Sequence, residues 1–194
     1  MVMDINELDL SKRFTYADYL TWGFKERVEL IKGYVYKKDT WTFDLHQRIA
    51  TGLSSEIYQY CKKKPCQVRA APYDVRLLDS KKSTDDNQIY TVVQPDICVI
   101  CDAAKIDRRG CIGAPDWIIE ILSPGNTKTE MQDKYNLYEE NGVKEYWIVQ
   151  PEYAAIQQFV LKEGKFQLEK MVSGNTILSS ACFPELMIEL EAIF

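Results

Sequence analysis

Hydrophobic and polar positions along the chain follow two different periods, which predicts a mixture of helices and strands. Between Thr42 and Lys63 the apolar residues recur at spacings of three and four, and this pattern is typical of an amphipathic helix. A shorter helix is predicted at residues 14–22, where Thr15 can cap the first turn. A third helix is predicted within "SPGNTKTEMQDKYNLYEENGV", capped by Asn126 or Thr127 and stopped by Gly142.

Strand-like patterns fill most of the remaining chain. "RVELIKGYVYKK" predicts a hairpin or a bent strand around Gly33, and the stretch from residue 155 predicts a hairpin that turns at Glu163 and Gly164. Further strands are predicted in "QVRAAPYDVRLL", "IYTVVQPDICVIC", "DWIIEIL" and "KEYWIVQP". Exposed loops are predicted at "DSKKSTDDNQ" and at residues 107–115.

The order of these elements predicts an α+β fold with a mixed central β-sheet flanked by helices. A length of 194 residues is within the usual range of one domain. We therefore expect residues 1–194 to form a single domain.

Charge argues against one class of partner. The formal net charge is −5, whereas proteins that hold nucleic acid by bulk electrostatics usually carry a positive face. Local basic clusters occur at Lys62–Lys64, at Lys81 and Lys82, and at Arg108 and Arg109. Solvated loops and helix ends are the commoner explanation of such clusters.

The chain shows no secretory signal and no apolar run long enough to span a membrane. We therefore expect a cytoplasmic protein without membrane association. The six cysteines are scattered through predicted strands and helices, which favours reduced thiols in that compartment. Cys98 and Cys101 form a CxxC, but residues three apart on a strand point to opposite faces, so a shared metal ion is not expected.

Two carboxylates lie where burial makes them costly. Glu120 falls inside the apolar stretch "APDWIIEIL", and Asp96 immediately precedes the apolar run "ICVI". An unpaired carboxylate in such a strand is strongly unfavourable. If the two strands are antiparallel neighbours, a divalent cation between the acids relieves their repulsion, and oxygen ligands of this kind suit Mg²⁺ or Mn²⁺.

The order of PD, a spacer and an acid within an apolar strand resembles the PD-(D/E)XK nuclease superfamily, although Leu122 stands where that motif has a lysine. A longer segment, "GAPDWIIEILSPGNTKTEMQDKYNLYEENGVKEYWIVQPE", resembles the Uma-type family of restriction-endonuclease-like proteins. "VELIKGYVY", "LHQRIATGL", "QPDICVI" and "FPELMIELEAIF" extend the resemblance over most of the chain.

The resemblance implies a restriction-endonuclease-like core and a set of site residues. Asp96 and Glu120 would bind Mg²⁺ or Mn²⁺, with the backbone carbonyl of Ile121 as a further ligand. Lys134, spaced by four from Tyr138 on the predicted helix, would replace the missing strand lysine and position the attacking water. The alternative for Lys134 is an ordinary ion pair with Glu130 on a solvated helix face.

Three further residues are candidates for accessory roles. Glu29 matches a family position and could bind or orient the metal ion, or it could be an exposed strand residue. His46, the only histidine, could act as a general base or could be a polar residue at a helix start beside the site. Tyr138 is the third accessory candidate, whereas Asp74 and Asp116 are assigned no catalytic role.

The function implied is metal-dependent hydrolysis of phosphodiester bonds in DNA, by water and without a covalent intermediate. One alternative is a nuclease fold that binds nucleic acid or serves as a scaffold without turnover. Another is a nuclease module that is active only with a partner chain. A homodimer is expected, since cutting both strands favours two copies and "EYWIVQPEYAAIQQFV" offers aromatic and apolar surface.

Overall fold

The computed structural model describes residues 2, 4–38, 43–78, 83–124 and 128–194. The α-helices are α1 (Tyr16–Tyr19), α2 (Asp44–Cys61), α3 (Lys128–Glu140) and α4 (Leu190–Ile193). The strands are β1 (Arg27–Ile31), β2 (Tyr34–Lys38), β3 (Gln67–Ala70), β4 (Val75–Leu77), β5 (Thr91–Val93), β6 (Ile97–Ile100), β7 (Ile106–Asp107), β8 (Gly110–Ile112), β9 (Trp117–Ile121), β10 (Glu145–Gln150), β11 (Ala155–Lys162), β12 (Lys165–Ser173), β13 (Ile177–Ser179) and β14 (Met187–Glu189).

In the part of the chain that the structure describes, most strands belong to two mixed sheets of six strands each. The first sheet has the order β2-β1-β5-β4-β8-β7, and the second has the order β12-β11-β10-β9-β6-β3. Each sheet contains one parallel pair, β4 with β8 in the first and β9 with β10 in the second, while the other neighbours are antiparallel. β13 and β14 form a separate two-stranded ribbon. The predicted α+β class with mixed sheets and flanking helices is confirmed.

Strands β6, β9 and β10 of the second sheet are buried on both faces. Their odd-numbered side chains, such as Val99 and Trp117, pack against the apolar stripe of α2. Their even-numbered side chains, such as Ile118 and Tyr146, pack against α3 and against side chains of the first sheet. Because side chains alternate along a strand, any even-numbered carboxylate on β6 or β9 must lie on the α3 side.

Two segments that the hydrophobic pattern predicts as single strands are each divided between the two sheets. Residues 67–78 form β3 in the second sheet and β4 in the first, and residues 89–101 form β5 in the first sheet and β6 in the second. The chain crosses between the sheets at Gln94 and Pro95 in the second segment. Proline has no N–H to donate to a ladder, so it fits a break between two strands.

The prediction of a loop at residues 107–115 is wrong for its first part. That part belongs to the small hairpin of β7 and β8, which extends the edge of the first sheet. The hairpins around Gly33 and around Glu163 and Gly164 are present, as are the helices near residues 14–22 and 42–63. The caps predicted at Asn126 and Thr127 lie outside the described residues.

Gly110 lies in the tight approach between this hairpin and the segment before β4. Its φ is +130°, and a Cβ built there would lie 2.1 Å from the carbonyl oxygen of Asp74. We expect Gly110→Ala to lower the free energy of unfolding by about 3 kcal/mol, because strain and steric overlap add. Urea denaturation followed by tryptophan fluorescence measures this loss.

Gly174→Ala is the matched control for that variant. Gly174 also has a positive φ, +64°, but nothing lies within 4 Å of a Cβ built there. Its loss should therefore be confined to backbone strain of about 1 kcal/mol. Equal losses in the two variants would show that the close approach at Asp74 does not matter.

Cysteine pairing departs from the expectation of reduced thiols. Cys66 and Cys101 form a disulfide across the ends of β3 and β6, whereas Cys61, Cys98, Cys111 and Cys182 are free. The two paired cysteines come to face each other because Gln67 pairs with Ile100 in this ladder.

No helix in the described part of the chain is both long and apolar enough to span a bilayer.

Most of the apolar surface that the sequence offered for a homodimer, at residues 145–160, is buried in the core. β10 lies between β9 and β11, and Tyr146, Trp147 and Ile148 are buried. Tyr153, beyond the end of β10, is the exposed aromatic residue of this stretch. The homodimer stays a prediction, but residues 145–160 do not supply its interface in the way the sequence suggested.

Candidate functional site

Asp96 and Glu120 lie opposite each other on neighbouring strands, as the sequence predicts. β6 and β9 are antiparallel, and Ile97 pairs with Ile119, so Asp96, one residue before β6, faces Glu120. Glu120 points to the α3 side of the second sheet, and Asp96, at the start of β6, contacts His46 at the start of α2. Two acids from neighbouring strands are thereby brought together, at the end of the sheet where the chain crosses from β5.

One oxygen of Asp96 is anchored. The backbone N–H of Ile121 donates to Oδ2 at 2.8 Å, and Nε2 of His46 lies 3.4 Å from the same oxygen. Burial alone would raise the pKa of Asp96, but the imidazole of His46, the ammonium of Lys38 and the Ile121 N–H lower that pKa to about 2. Asp96 is therefore an anion at neutral pH, with Oδ1 turned towards Lys38 at 3.9 Å.

Glu29 joins the two predicted acids from the first sheet. It is 1% exposed, so the exposed-strand alternative is wrong. Its Oε1 accepts from the backbone N–H of Gln94 at 2.7 Å, and its Oε2 lies 3.1 Å from Nζ of Lys134. Burial opposes ionisation, but the two ammonium groups and the Gln94 N–H outweigh it, and the pKa of Glu29 is lowered.

Helix α3 places Lys134 and Tyr138 against Glu120. Nζ of Lys134 donates to Oε1 at 2.9 Å, and the Tyr138 hydroxyl donates to the same oxygen at 2.6 Å. Lys134 is 4% exposed, so the alternative of a solvated ion pair does not describe it. Burial by itself lowers a lysine pKa, but the carboxylates of Glu120 and Glu29 hold the pKa of Lys134 well above its usual value.

Leu122 occupies the position of the missing strand lysine, and it lines the same small pocket as Lys134 and Glu120. The ammonium group of Lys134, on α3, thus lies beside the place where the strand carries an apolar side chain. The role of Lys134 in place of the strand lysine stays a prediction.

Lys38 is a site residue that sequence reasoning missed. Its Nζ lies 3.6 Å from Glu29, 3.9 Å from Asp96 and 3.8 Å from Glu120, and it donates to the carbonyl oxygen of Gln94 at 2.7 Å. The two-residue turn at Lys32 and Gly33 pairs Arg27 with Lys38. Alternation across that hairpin puts Lys38 on the same face as Glu29, which is a signal that the sequence does contain.

His46 lies at the start of α2, beside the acids rather than among them. Its Nε2 faces Asp96, while its Nδ1 is buried and has no hydrogen-bond partner among the described residues. A general base is usually held in place by a third group at its second nitrogen. The arrangement therefore favours a role for His46 in orienting Asp96.

A cleft of about 820 Å³ opens onto the side chains of Lys38, Asp96 and Glu120. Arg27, Lys37 and Lys38 line one wall, and polar residues of α2 from His46 to Tyr58 line another. That stretch of helix is about 18 Å long at 1.5 Å per residue. Asp96, Glu120 and Ile121 also line the cleft, so a polymer lying in it would reach the acids.

The donor chemistry fits a hard divalent cation. In the part of the chain that the structure describes, no three His, Cys, Asp or Glu side chains stand as a ready-made metal site. However, the carboxylates of Glu29, Asp96 and Glu120 converge on one cation, the ammonium of Lys38, at 3.6–3.9 Å. Carboxylate oxygens are the ligands that Mg²⁺ and Mn²⁺ prefer.

Comparison with known proteins shows the fold and the family of the chain. No curated protein matches the chain. A crystal structure described as a "putative nuclease belonging to DUF820" from Anabaena variabilis ATCC 29413 is similar over 93% of this chain and 97% of that one, with 20% identity and a TM-score of 0.70. The family model Uma2, described as "Putative restriction endonuclease", matches residues 16–191. With the shared fold, that match shows that the chain belongs to the Uma2 family of restriction-endonuclease-like proteins.

Proposed function

We propose that this protein is an endonuclease that hydrolyses phosphodiester bonds in DNA with Mg²⁺ or Mn²⁺. One observation carries the proposal. Asp96 and Glu120 each use one oxygen for anchoring hydrogen bonds and turn the other oxygen to a common cation position at the floor of an open cleft. Purely structural ion pairs have no need of such a cleft.

The protein's own groups divide the work between holding and orienting. Asp96, Glu120 and Glu29 would hold the cation, and the carbonyl of Ile121 would be a further ligand. When bound, a divalent cation supplies an activated water and neutralises charge that develops on the phosphate. Lys134 and Tyr138 fix the orientation of Glu120, and the backbone of Gln94 fixes Glu29.

DNA is proposed as the substrate from the family and from the cleft. The protein carries a net charge of −5, so bulk attraction does not bring it to a polyanion. Arg27 and Lys37 on the cleft wall provide local positive charge close to the acids. Local charge of this kind can contact phosphates without a basic face over the whole molecule.

Cleavage should depend strictly on a divalent cation. We expect supercoiled plasmid to be nicked and then linearised in Mg²⁺ or Mn²⁺, and to stay intact in EDTA, because the cation supplies the activated water. Agarose gel electrophoresis measures this. Parallel reactions with linear duplex, single-stranded DNA and RNA identify the preferred nucleic acid.

A nuclease fold that binds without cutting is the competing function, and one observation favours it: the Lys38 ammonium already occupies the position between the acids and offsets part of their charge. Absence of cleavage in every substrate and cation, together with absence of Mn²⁺ binding by calorimetry, would support that competitor. Cleavage that begins only when a second protein is added would indicate a module that needs a partner.

A further inference from the structure

The site contains two lysines, and they lie on opposite sides of the carboxylates. Lys134 comes from α3 and is 4% exposed. Among the residues that the structure describes, the wall of the large cleft includes Lys38 but does not include Lys134. A substrate that enters through this cleft therefore meets Lys38 first, while Lys134 lies behind Glu29 and Glu120.

The two lysines also differ in their distances to the carboxylates. Lys134 makes direct hydrogen bonds, at 2.9 Å to Glu120 and 3.1 Å to Glu29. Lys38 stands 3.6–3.9 Å from all three carboxylates, and its closest partner is the Gln94 carbonyl at 2.7 Å. Lys38 is thus held by shared charge at the centre of the acids, rather than by a tight bond to one of them.

Charge shows what a divalent cation would do to this arrangement. Three carboxylates and two ammonium groups leave a charge of −1 at the site, and exchanging the Lys38 ammonium for a divalent cation brings it to zero. Both cations cannot occupy one position, since like charges at such separation repel strongly in a partly buried site. The cleft lies beside the side chain of Lys38, so this side chain has room to move into the cleft.

Resting on the proposed function, we infer that Lys38 is a catalytic residue. Its ammonium gives up the position between the three carboxylates to the divalent cation and, from the cleft, contacts the phosphate that is being cleaved. Lys134 is then a positioning residue, which keeps Glu120 and Glu29 in place. The lysine function expected on α3 is divided between a buried residue and a residue in the cleft.

Lys38→Met tests this inference, with Lys170→Met as its control. Lys170 is exposed on the edge strand β12 and does not line the cleft. By titration calorimetry with MnCl₂, Lys38→Met should bind Mn²⁺ at least about tenfold more tightly than the wild type, because the competing ammonium is gone. The same variant should cleave DNA at least about 100-fold more slowly at saturating Mn²⁺, because a cation facing the transition state is lost.

Lys170→Met should resemble the wild type in both Mn²⁺ affinity and cleavage. Lys38→Gln, which can still donate to the Gln94 carbonyl, should reproduce the Lys38→Met result, and thermal melting shows that each variant is folded. A Lys38 variant that binds Mn²⁺ no more tightly and cuts DNA as fast as the wild type overturns the inference while leaving the nuclease intact. If the wild type and both Lys38 variants bind no Mn²⁺ and cut nothing, the proposed function fails as well.

Discussion

Asp96→Asn should lower metal-dependent cleavage of DNA by at least about 1,000-fold, which corresponds to the several kcal/mol that a metal site supplies to phosphate hydrolysis. Asparagine keeps the shape of the side chain and can still accept from the Ile121 N–H. It removes the negative charge, and with it a charged oxygen that faces the shared cation position. Initial rates on plasmid DNA and Mn²⁺ calorimetry measure the two consequences.

Asp102→Asn is the matched control for Asp96→Asn. Asp102 is exposed, lies just after β6, and accepts from the backbone N–H of Ala104 at 2.9 Å, a bond that asparagine also makes. This variant should cleave DNA and bind Mn²⁺ as the wild type does. If Asp96→Asn retained full cleavage beside it, the acids would not be the metal ligands and the proposed chemistry would be wrong.

Glu145→Ala is expected to lower the free energy of unfolding by about 4 kcal/mol, since it leaves several buried donors without an acceptor. Glu145 is 0% exposed. Its two oxygens accept five hydrogen bonds, from Trp147 Nε1, Gln158 Nε2, Ser180 Oγ and the backbone N–H groups of Ala181 and Cys182. Urea denaturation followed by tryptophan fluorescence measures the loss.

Glu152→Ala provides the comparison for that loss. Glu152 is exposed in the short turn that follows β10, and its removal should change stability by no more than about 0.5 kcal/mol. Glu145→Gln retains one acceptor oxygen and should lose less than Glu145→Ala. Similar stabilities for Glu145→Ala and Glu152→Ala would show that the buried hydrogen bonds contribute no net stability.

Local pattern predicted the elements whose stability is mainly local. The spacing of apolar residues indicated α2, and the two hairpin turns were indicated by Gly33 and by Glu163 with Gly164. The division of residues 67–78 and 89–101 between two sheets was not predicted, because it depends on contacts distant in the chain. Pro95 was the available signal, since a proline inside an apparent strand argues for a break.

The candidate site was predicted unevenly for a similar reason. The prediction of Asp96 and Glu120 followed from burial and from the expected pairing of their strands, and that of Lys134 and Glu29 followed from the family resemblance. Lys38 has no place in the resembled motif, and it appears only when the hairpin register is carried through residue by residue. The donors around Glu145 come from as far as residue 182, so no local pattern could indicate them.

The crossing at Gln94 and Pro95 couples the binding site to the whole fold. Glu29 and Lys38 belong to one sheet, Asp96 and Glu120 to the other, and each helix beside them contributes a further contact. Under the proposed function neither sheet alone supplies all three carboxylates, so a folding intermediate with only one sheet formed would bind the ion more weakly. Binding energy would thereby favour the native state, and by mass action a bound ion would oppose global unfolding.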